Sequence, residues 1–284
     1  MMCSIFKYKT CVGRNFDYEI SYDEELRRIK PMEFGNDLAV MGMCAGMVDY
    51  PLMYDGINEC GLVVGALAFN DNAVYFDENP DKLNIPAFDF VFRLLSSFKS
   101  VKDVKYCLGK VNISNKQFSD EFPNSDLHWF VADKSSSMII EQTKDGLMWY
   151  DGDVMTNNPP YEDQVFVSNL LNEKIGEPHG MNVIKKLERF NTRGEETFGL
   201  RGDYTSLGRF NRLSYFKKKL ENHKNNFNLV SQSFHLCSSV EQIFGVTPVA
   251  DKFEYTIYSM VYDIANCRAY LKTYDSLEVE EYEL

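Results

Sequence analysis

The chain has 284 residues, of which 44% are hydrophobic, 14% aromatic and 25% charged. Such a length buries enough surface to form a core without staples, and the composition excludes a disordered, collagen-like or low-complexity polypeptide. With 30 Lys and Arg against 42 Asp and Glu the net charge is −12, a surface that repels phosphate backbones and anionic lipid, so neither nucleic acid nor membrane is an expected partner.

Residues 1–70 read as strands and turns. Residues 4–10 (SIFKYKT) alternate in part, and a second short run ends at Gly13-Arg14-Asn15-Phe16-Asp17. Residues 37–43 (DLAVMGM) and 61–69 (GLVVGALAF) are strand-like, with turns expected at Asp55-Gly56 and Asn58 between them. Pro86 suits the first turn of a helix, after which Phe88, Val91, Phe92 and Leu95 share one face. Ser100 and Asp103 form a capping-box-like start for a second helix, with Val101, Val104, Cys107, Leu108 and Val111 as its apolar face. Strands return at 127–132 (LHWFVA), 138–141 and 147–150, the last two joined by a hairpin turn at Asp145-Gly146. Residues 208–239 are helical again, in two parts. Residues 253–261 and 267–273 are two strands around Ala265-Asn266, and the acidic tail 278–283 is expected to be solvated.

The order of strands, helices, strands, helices, strands is not the strict alternation of a parallel sheet. It indicates an α+β protein with antiparallel sheets and helices laid against them. No Pro/Gly/Ser-rich linker or repeat divides the chain, so residues 1–284 are read as one domain. No apolar run is long enough to span a membrane, and residues 1–9 show no secretory signal. The seven cysteines are odd in number, widely spaced and lack a CxxC, which indicates reduced thiols in the cytoplasm.

Phosphate-binding, dinucleotide, GxSxG and HExxH motifs are absent. The four histidines, His128, His179, His223 and His235, lie far apart, and no metal or other cofactor is expected. His128 in its apolar run reads as a packed strand residue.

The chemistry points to the N-terminus, Met1-Met2-Cys3-Ser4 followed by Gly13-Arg14-Asn15-Phe16-Asp17-Tyr18. Were the preceding residues removed, Cys3 would carry a thiol nucleophile and an α-amine base on one residue, with ordinary pKa values of about 8.5 and about 7.7–8.0. A nearby arginine favours the thiolate and a carboxylate can orient the amine. Arg14 and Asp17, on the next strand of a hairpin, are placed to supply both. Taken alone, a cysteine near a terminus and an Arg and Asp three apart are also what an ordinary strand carries.

These segments resemble the start of the choloylglycine hydrolase family, which holds bile salt hydrolases and penicillin V acylases. The resemblance continues in DGINECGL (55–62), NIPAFDFVFRLL (84–95), LHW (127–129), EQTKDGL (141–147), MTNNP (155–159) and GDYTSLGRF (202–210), in the family's order over nearly the whole chain. It implies the N-terminal-nucleophile αββα four-layer sandwich, two antiparallel sheets between helical layers, and hydrolysis of a linear amide without metal or cofactor. By motif, Cys3 resembles the nucleophile, Arg14 lies beside its thiol, Asp17 holds the amine, Asn157 donates to the oxyanion, and Arg209 completes the polar network around Cys3. The backbone N–H of Ala68 is implied as a second oxyanion donor. Without the resemblance, Asn157 before Asn158-Pro159-Pro160 reads as a turn, and Arg209 as a solvated charge opening a helix.

Departures from the family pattern are also visible. Met2 precedes Cys3, and a retained Met2 would leave an amide nitrogen in place of the basic amine. Ala68 stands where bile salt hydrolases often carry Asn and penicillin V acylases Tyr. The stretch around 30–37 is trimmed, and 194–202 departs from the Gly-rich pattern associated with tetramers. Tyr18, Ile20, Met47, Met53 and Phe118 are the candidate substrate-binding residues, since Met and aromatic side chains suit an adaptable apolar pocket. Arg27, Arg28 and Lys30 are candidates to meet the anionic head of a conjugated substrate. The expected function is cleavage of glycine or taurine bile salts. The alternatives are a penicillin V or other N-acyl amide acylase, or a non-catalytic relative if Met2 is retained. A homo-oligomer, by the family a homotetramer, is the expected assembly.

Overall fold

The structure, a computed structural model, describes residues 2–173, 175, 194–224 and 226–284; His179 lies outside them. In chain order the strands are β1 (Ser4–Tyr8), β2 (Cys11–Tyr18), β3 (Glu25–Ile29), β4 (Val40–Cys44), β5 (Met53–Asn58), β6 (Val63–Ala68), β7 (Leu83–Pro86) and β8 (Val111–Ser114). There follow β9 (Leu127–Ala132), β10 (Ser137–Thr143), β11 (Gly146–Asp151), β12 (Val154–Met155), β13 (Thr247–Val249), β14 (Lys252–Asp263), β15 (Arg268–Thr273) and β16 (Glu280–Glu283). The helices named below are α1 (Phe90–Ser97), α2 (Val101–Leu108), α3 (Tyr161–Asn172), α4 (Ser206–Glu221) and α5 (Leu229–Ser238).

Two antiparallel sheets carry the fold. Sheet I has the order β12-β1-β2-β14-β15-β16, with β13 on one end of β14, and sheet II the order β11-β10-β9-β6-β5-β4-β3. Helices α1 and α2 cover the outer face of sheet II, and α4 and α5 the outer face of sheet I. The layers therefore run helix, sheet, sheet, helix.

Strand alternation assigns the two faces of sheet I. Ile5 pairs with Arg14, and both point toward sheet II, where Arg14 reaches the carbonyl oxygens of Tyr54 and Ala66. Ser4 pairs with Asn15, and both point toward the helices, where Asn15 donates to the Cys237 carbonyl of α5 at 2.9 Å. Cys3, one residue before β1, falls on the inter-sheet side with Ile5.

Several sequence expectations are corrected here. Asp55-Gly56 and Asn58 are not turn residues but lie in β5, and the turn falls at Glu59-Cys60. The Asp-Gly pair reads as a turn by local propensity, but strands on both sides of β5 absorb its backbone groups. Val111 leaves the helix and opens β8, because α2 ends at Leu108 before Gly109. The acidic tail is exposed, as expected, and it also forms β16 on the edge of sheet I. Other signals hold. The Ser100 hydroxyl accepts from the Asp103 N–H at 3.2 Å at the start of α2. His128 is buried, stacks on Phe69 at 4.5 Å and faces Glu141.

Candidate active site

Cys3 is the meeting point of both faces of sheet I. It is fully buried, and its backbone N–H donates to Asn157 Oδ1 at 2.7 Å. Its Sγ lies 3.9 Å from Arg14 Nη2 and 3.9 Å from the Asp17 carbonyl oxygen. Burial pushes the thiol above its ordinary value, and the charge of Arg14 opposes that push.

On the inter-sheet side, Arg14 is held by the Tyr54 carbonyl at 2.6 Å, the Ala66 carbonyl at 2.8 Å and the carboxylate of Asp55. Asp55 also accepts from the hydroxyls of Tyr258, at 2.6 Å, and Tyr262. Burial works against the Arg14 cation, but the adjoining Asp55 carboxylate opposes it and the guanidinium stays charged. Burial raises both tyrosines well above their ordinary value, so they act as neutral donors to Asp55.

On the helix side, Arg209 is fully buried and not a solvated charge. The Thr205 side chain caps α4 by accepting from the Gly208 N–H at 3.1 Å. A Cβ on Gly208 would fall 2.3 Å from Asp203 Oδ1, so only glycine lets this loop close on the first turn and present Arg209 to β1. The guanidinium donates to the Cys3 carbonyl at 2.5 Å, Ser4 Oγ at 2.6 Å and Asn157 Oδ1 at 2.9 Å. Asp17 lies 3.9 Å from it and accepts from Thr256 Oγ1 at 2.6 Å and Gln242 Nε2 at 3.0 Å. Burial raises Asp17 and lowers Arg209, and each group opposes the shift of the other.

Asn157 follows β12 and is not merely a turn residue. Its backbone N–H is held by Ser206 Oγ at 2.9 Å and its carbonyl by Gln164 of α3. Its Nδ2 donates to the Ala68 carbonyl at 2.9 Å, which links the end of β6 to the N-terminus of β1. An amide nitrogen carries two hydrogens, so one remains beyond this bond.

The candidate substrate residues separate. Tyr18 and Tyr22 stack at 5.9 Å, and Gly46 N–H bonds the Tyr22 carbonyl at 3.2 Å, so the loops after β2 and β4 meet beyond Cys3. Ile20 is half-buried and Met47 exposed on those two loops. Met53 is buried with Val64, Ala66 and Val91 in the cluster between sheet II and α1, not in the cluster that holds Cys3. Phe118 packs on Tyr50 and Phe88 over a separate cavity of about 590 Å³, whose wall includes Asp89, Arg93 and Lys116 but not Cys3. Arg27 bonds Glu25 and the carbonyls of Val48 and Asp49, and Arg28 lies over the Tyr282 ring. Among the described residues, no group of three or more His, Cys, Asp or Glu side chains is placed to hold a metal ion.

Sequence reasoning missed Asp55 as a charge partner, together with Tyr258, Tyr262, Gln242, Thr256 and Glu254. Tyr258 and Tyr262 sit four apart on a strand and share a face, a signal that two buried hydroxyls address one acceptor. Glu254 is buried beside the N-terminal segment and accepts from the Met2 N–H, which also bonds the Asp17 carbonyl at 3.2 Å.

Comparison with known proteins agrees with this geometry. The profile of the linear amide C–N hydrolases, choloylglycine hydrolase family, matches residues 3–284. The chain belongs to the choloylglycine hydrolase family. It is 38% identical to a bile salt hydrolase/transferase of Lactiplantibacillus plantarum, over 100% of this chain and 92% of that protein. It is 31% identical to the bile salt hydrolase/transferase of Clostridium perfringens, over 94% of this chain and 86% of that protein. The solved structure of a mutant conjugated bile acid hydrolase from Clostridium perfringens superimposes with a TM-score of 0.87 at 26% identity, covering 100% of this chain and 92% of that one. Penicillin V acylase from Agrobacterium tumefaciens shares the fold, with a TM-score of 0.73 at 17% identity, covering 100% of this chain and 86% of that one. The four layers are thus the αββα sandwich of N-terminal-nucleophile hydrolases, and the chain is a linear amide C–N hydrolase of this family. No helix among the described residues is long and apolar enough to cross a membrane.

Proposed function

We propose that this hydrolase deconjugates bile salts, cleaving the amide between a steroid acyl group and glycine or taurine with Cys3 as nucleophile. The observation that carries the mechanism is the wiring of Cys3. Its nitrogen is held by Asn157 at 2.7 Å while its sulfur faces the Arg14 guanidinium at 3.9 Å. The identity of 38% to a bile salt hydrolase/transferase over the full chain supports the substrate class.

Burial keeps the Cys3 thiol protonated, so attack requires a base. Once residues 1 and 2 are gone, the Cys3 α-amine takes the thiol proton and the sulfur attacks the amide carbon. The oxyanion is met by the remaining Nδ2 hydrogen of Asn157 and the backbone N–H of Ala68. The amine returns its proton to the leaving glycine or taurine nitrogen, the C–N bond breaks, and a thioester forms on Cys3. Water, losing a proton to the same amine, then releases the bile acid and restores the thiol. Arg14 stabilises negative charge on sulfur. Asp17, through Arg209, holds the carbonyl of Cys3 and the amide of Asn157 in register. Tyr18 at the end of β2, with Ile20 and Met47 on the loops beyond, borders the steroid side. Phe118 stands on the separate cavity, and Met53 supports the wall from the far face.

Residues 1–284 form one domain in this reading. The free cysteines support a cytoplasmic setting, and the family resemblance supports a homotetramer, which size-exclusion chromatography with light scattering tests. The functional experiment is amine release from glycocholate and taurocholate beside penicillin V, on protein whose N-terminus is verified by intact mass. Faster bile-salt cleavage is expected. Faster penicillin V cleavage would overturn the substrate, and full activity with Met2 retained would overturn the mechanism.

A further inference from the structure

The end of the molecule remote from Cys3 holds a second arrangement of thiols. The β5–β6 turn of sheet II and the β14–β15 turn of sheet I press against each other there. Asn58 braces the first turn, its Oδ1 accepting from the N–H groups of Cys60 and Leu62 at 3.0 Å each. Gly61 has φ +79°, and a Cβ on it would lie 2.9 Å from the Ile264 carbonyl oxygen, so the two turns are in backbone contact. Each turn carries one cysteine: Cys60 is exposed, and Cys267 is half-buried at φ +51°.

Cys267 Sγ lies 3.6 Å from the carbonyl oxygen of Glu59, the residue bonded to Cys60. Covalent geometry then puts that sulfur within about 6.5 Å of the Cys60 Cα. A disulfide joins residues whose Cα atoms are about 4.4–6.8 Å apart, so closing the bond asks for a local shift of the two turns. Both partners sit in turns outside the strand ladders, where small rearrangements break no sheet hydrogen bond.

We propose that Cys60 and Cys267 form a redox-active dithiol that closes by exchange with a low-molecular-weight disulfide and locks the two sheets together at this end. The exposed Cys60 thiolate attacks the small disulfide, giving a mixed disulfide and releasing one small thiol. Cys267 gives up its proton and attacks the Cys60 sulfur, forming the Cys60–Cys267 bond and expelling the second small thiol. Two protein thiols are oxidised and one small disulfide is reduced to two thiols. Burial raises the Cys267 thiol above its ordinary value, so the exposed Cys60 is the thiol that makes the first, intermolecular attack. The bond would close a loop of roughly two hundred residues spanning both sheets, so the oxidised form resists unfolding more than the reduced form. The catalytic end, where Cys3, Asp17 and Asn157 meet, is left in place.

The test equilibrates the full chain in glutathione redox buffers, traps it with N-ethylmaleimide, and reads intact mass, peptide map and melting temperature. The expected result is a linked Cys60–Cys267 peptide that appears as the buffer becomes oxidising, with a rise in Tm of at least about 3 °C. Cys60→Ser abolishes both changes, and Cys267→Ser stops at a Cys60–glutathione adduct. An adduct at Cys60 without the internal link in the wild-type chain overturns the proposal, as does a Cys60–Cys60 link between chains or no change at either residue. Peptide mapping separates these events from any reaction at Cys3.

Discussion

Two buried ionic clusters flank Cys3, one on each side of sheet I, and they are built differently. Between the sheets, Arg14 and Asp55 are in direct contact, and Asp55 accepts further from Tyr258 and Tyr262. Between sheet I and α4, Arg209 and Asp17 stand 3.9 Å apart and spend their bonding on neutral groups. Arg209 addresses Cys3, Ser4 and Asn157, and Asp17 addresses Thr256 and Gln242. A closed ion pair makes a rigid strut with one guanidinium nitrogen left to face the thiol. An open pair makes a hub that holds the nucleophile's own backbone. Placing opposite charges on both faces of one strand hairpin lets a single buried residue be oriented from two directions.

The largest test of that picture is the nucleophile itself. Cys3→Ala should lower kcat/KM by about 10⁴-fold or more while leaving Tm within a few degrees, because the two clusters do not depend on the sulfur. Hydrolysis assays with thermal melts check it, and retained turnover would remove Cys3 from the mechanism.

The strut should matter most to stability. Asp55→Ala leaves Arg14 charged and unpaired in the interior, a loss of about 3–5 kcal/mol, measured by urea unfolding. Arg209→Met leaves Asp17 with its bonds from Gln242 and Thr256 and should cost less; the reverse order would mean that the hub, not the strut, carries the fold.

Asn157→Ala is expected to reduce kcat by about 10²–10³-fold, or about 3–4 kcal/mol of barrier, with a smaller change in KM. A change confined to KM would assign Asn157 to substrate binding alone.

The smallest expected effect lies at Glu254, next to the hub. Burial pushes its carboxyl up to about 7, against the chain's amino terminus, which pulls it down. A folded-state pKa above the unfolded value of 4.5 means that the group's stability contribution is full below about pH 4.5 and is lost as pH rises through about 7. Glu254→Gln cannot ionise, so its Tm relative to the parent should move upward between pH 5 and pH 8. Parallel melts across that range would contradict the assignment.

Some of this was legible before any coordinates. Cys3, Arg14 and Asp17 lie on one hairpin, so local spacing already placed a thiol, a cation and a carboxylate together. Asn157 and Arg209 emerged only from the MTNNP and SLGRF segments of the family pattern, since each reads otherwise as a turn residue and an exposed helix charge. Asp55 was hidden by its own motif, because Asp-Gly has turn chemistry wherever neighbouring strands do not claim it. Met53 was misplaced because an apolar residue near the site in sequence can sit on either face of a strand, and a period of two decides which.

The sequence by itself determined the alternation of β1 and β2, the cap of α2, the acidic surface and the N-terminal cysteine chemistry, because these depend on residues within a few positions of one another. Only the tertiary structure decided that Tyr258 and Tyr262 donate to Asp55, that Gln242 and Thr256 hold Asp17, and that the turns carrying Cys60 and Cys267 touch. Those partners are separated by roughly two hundred residues, and their energies come from burial and direct contact, which no local pattern encodes.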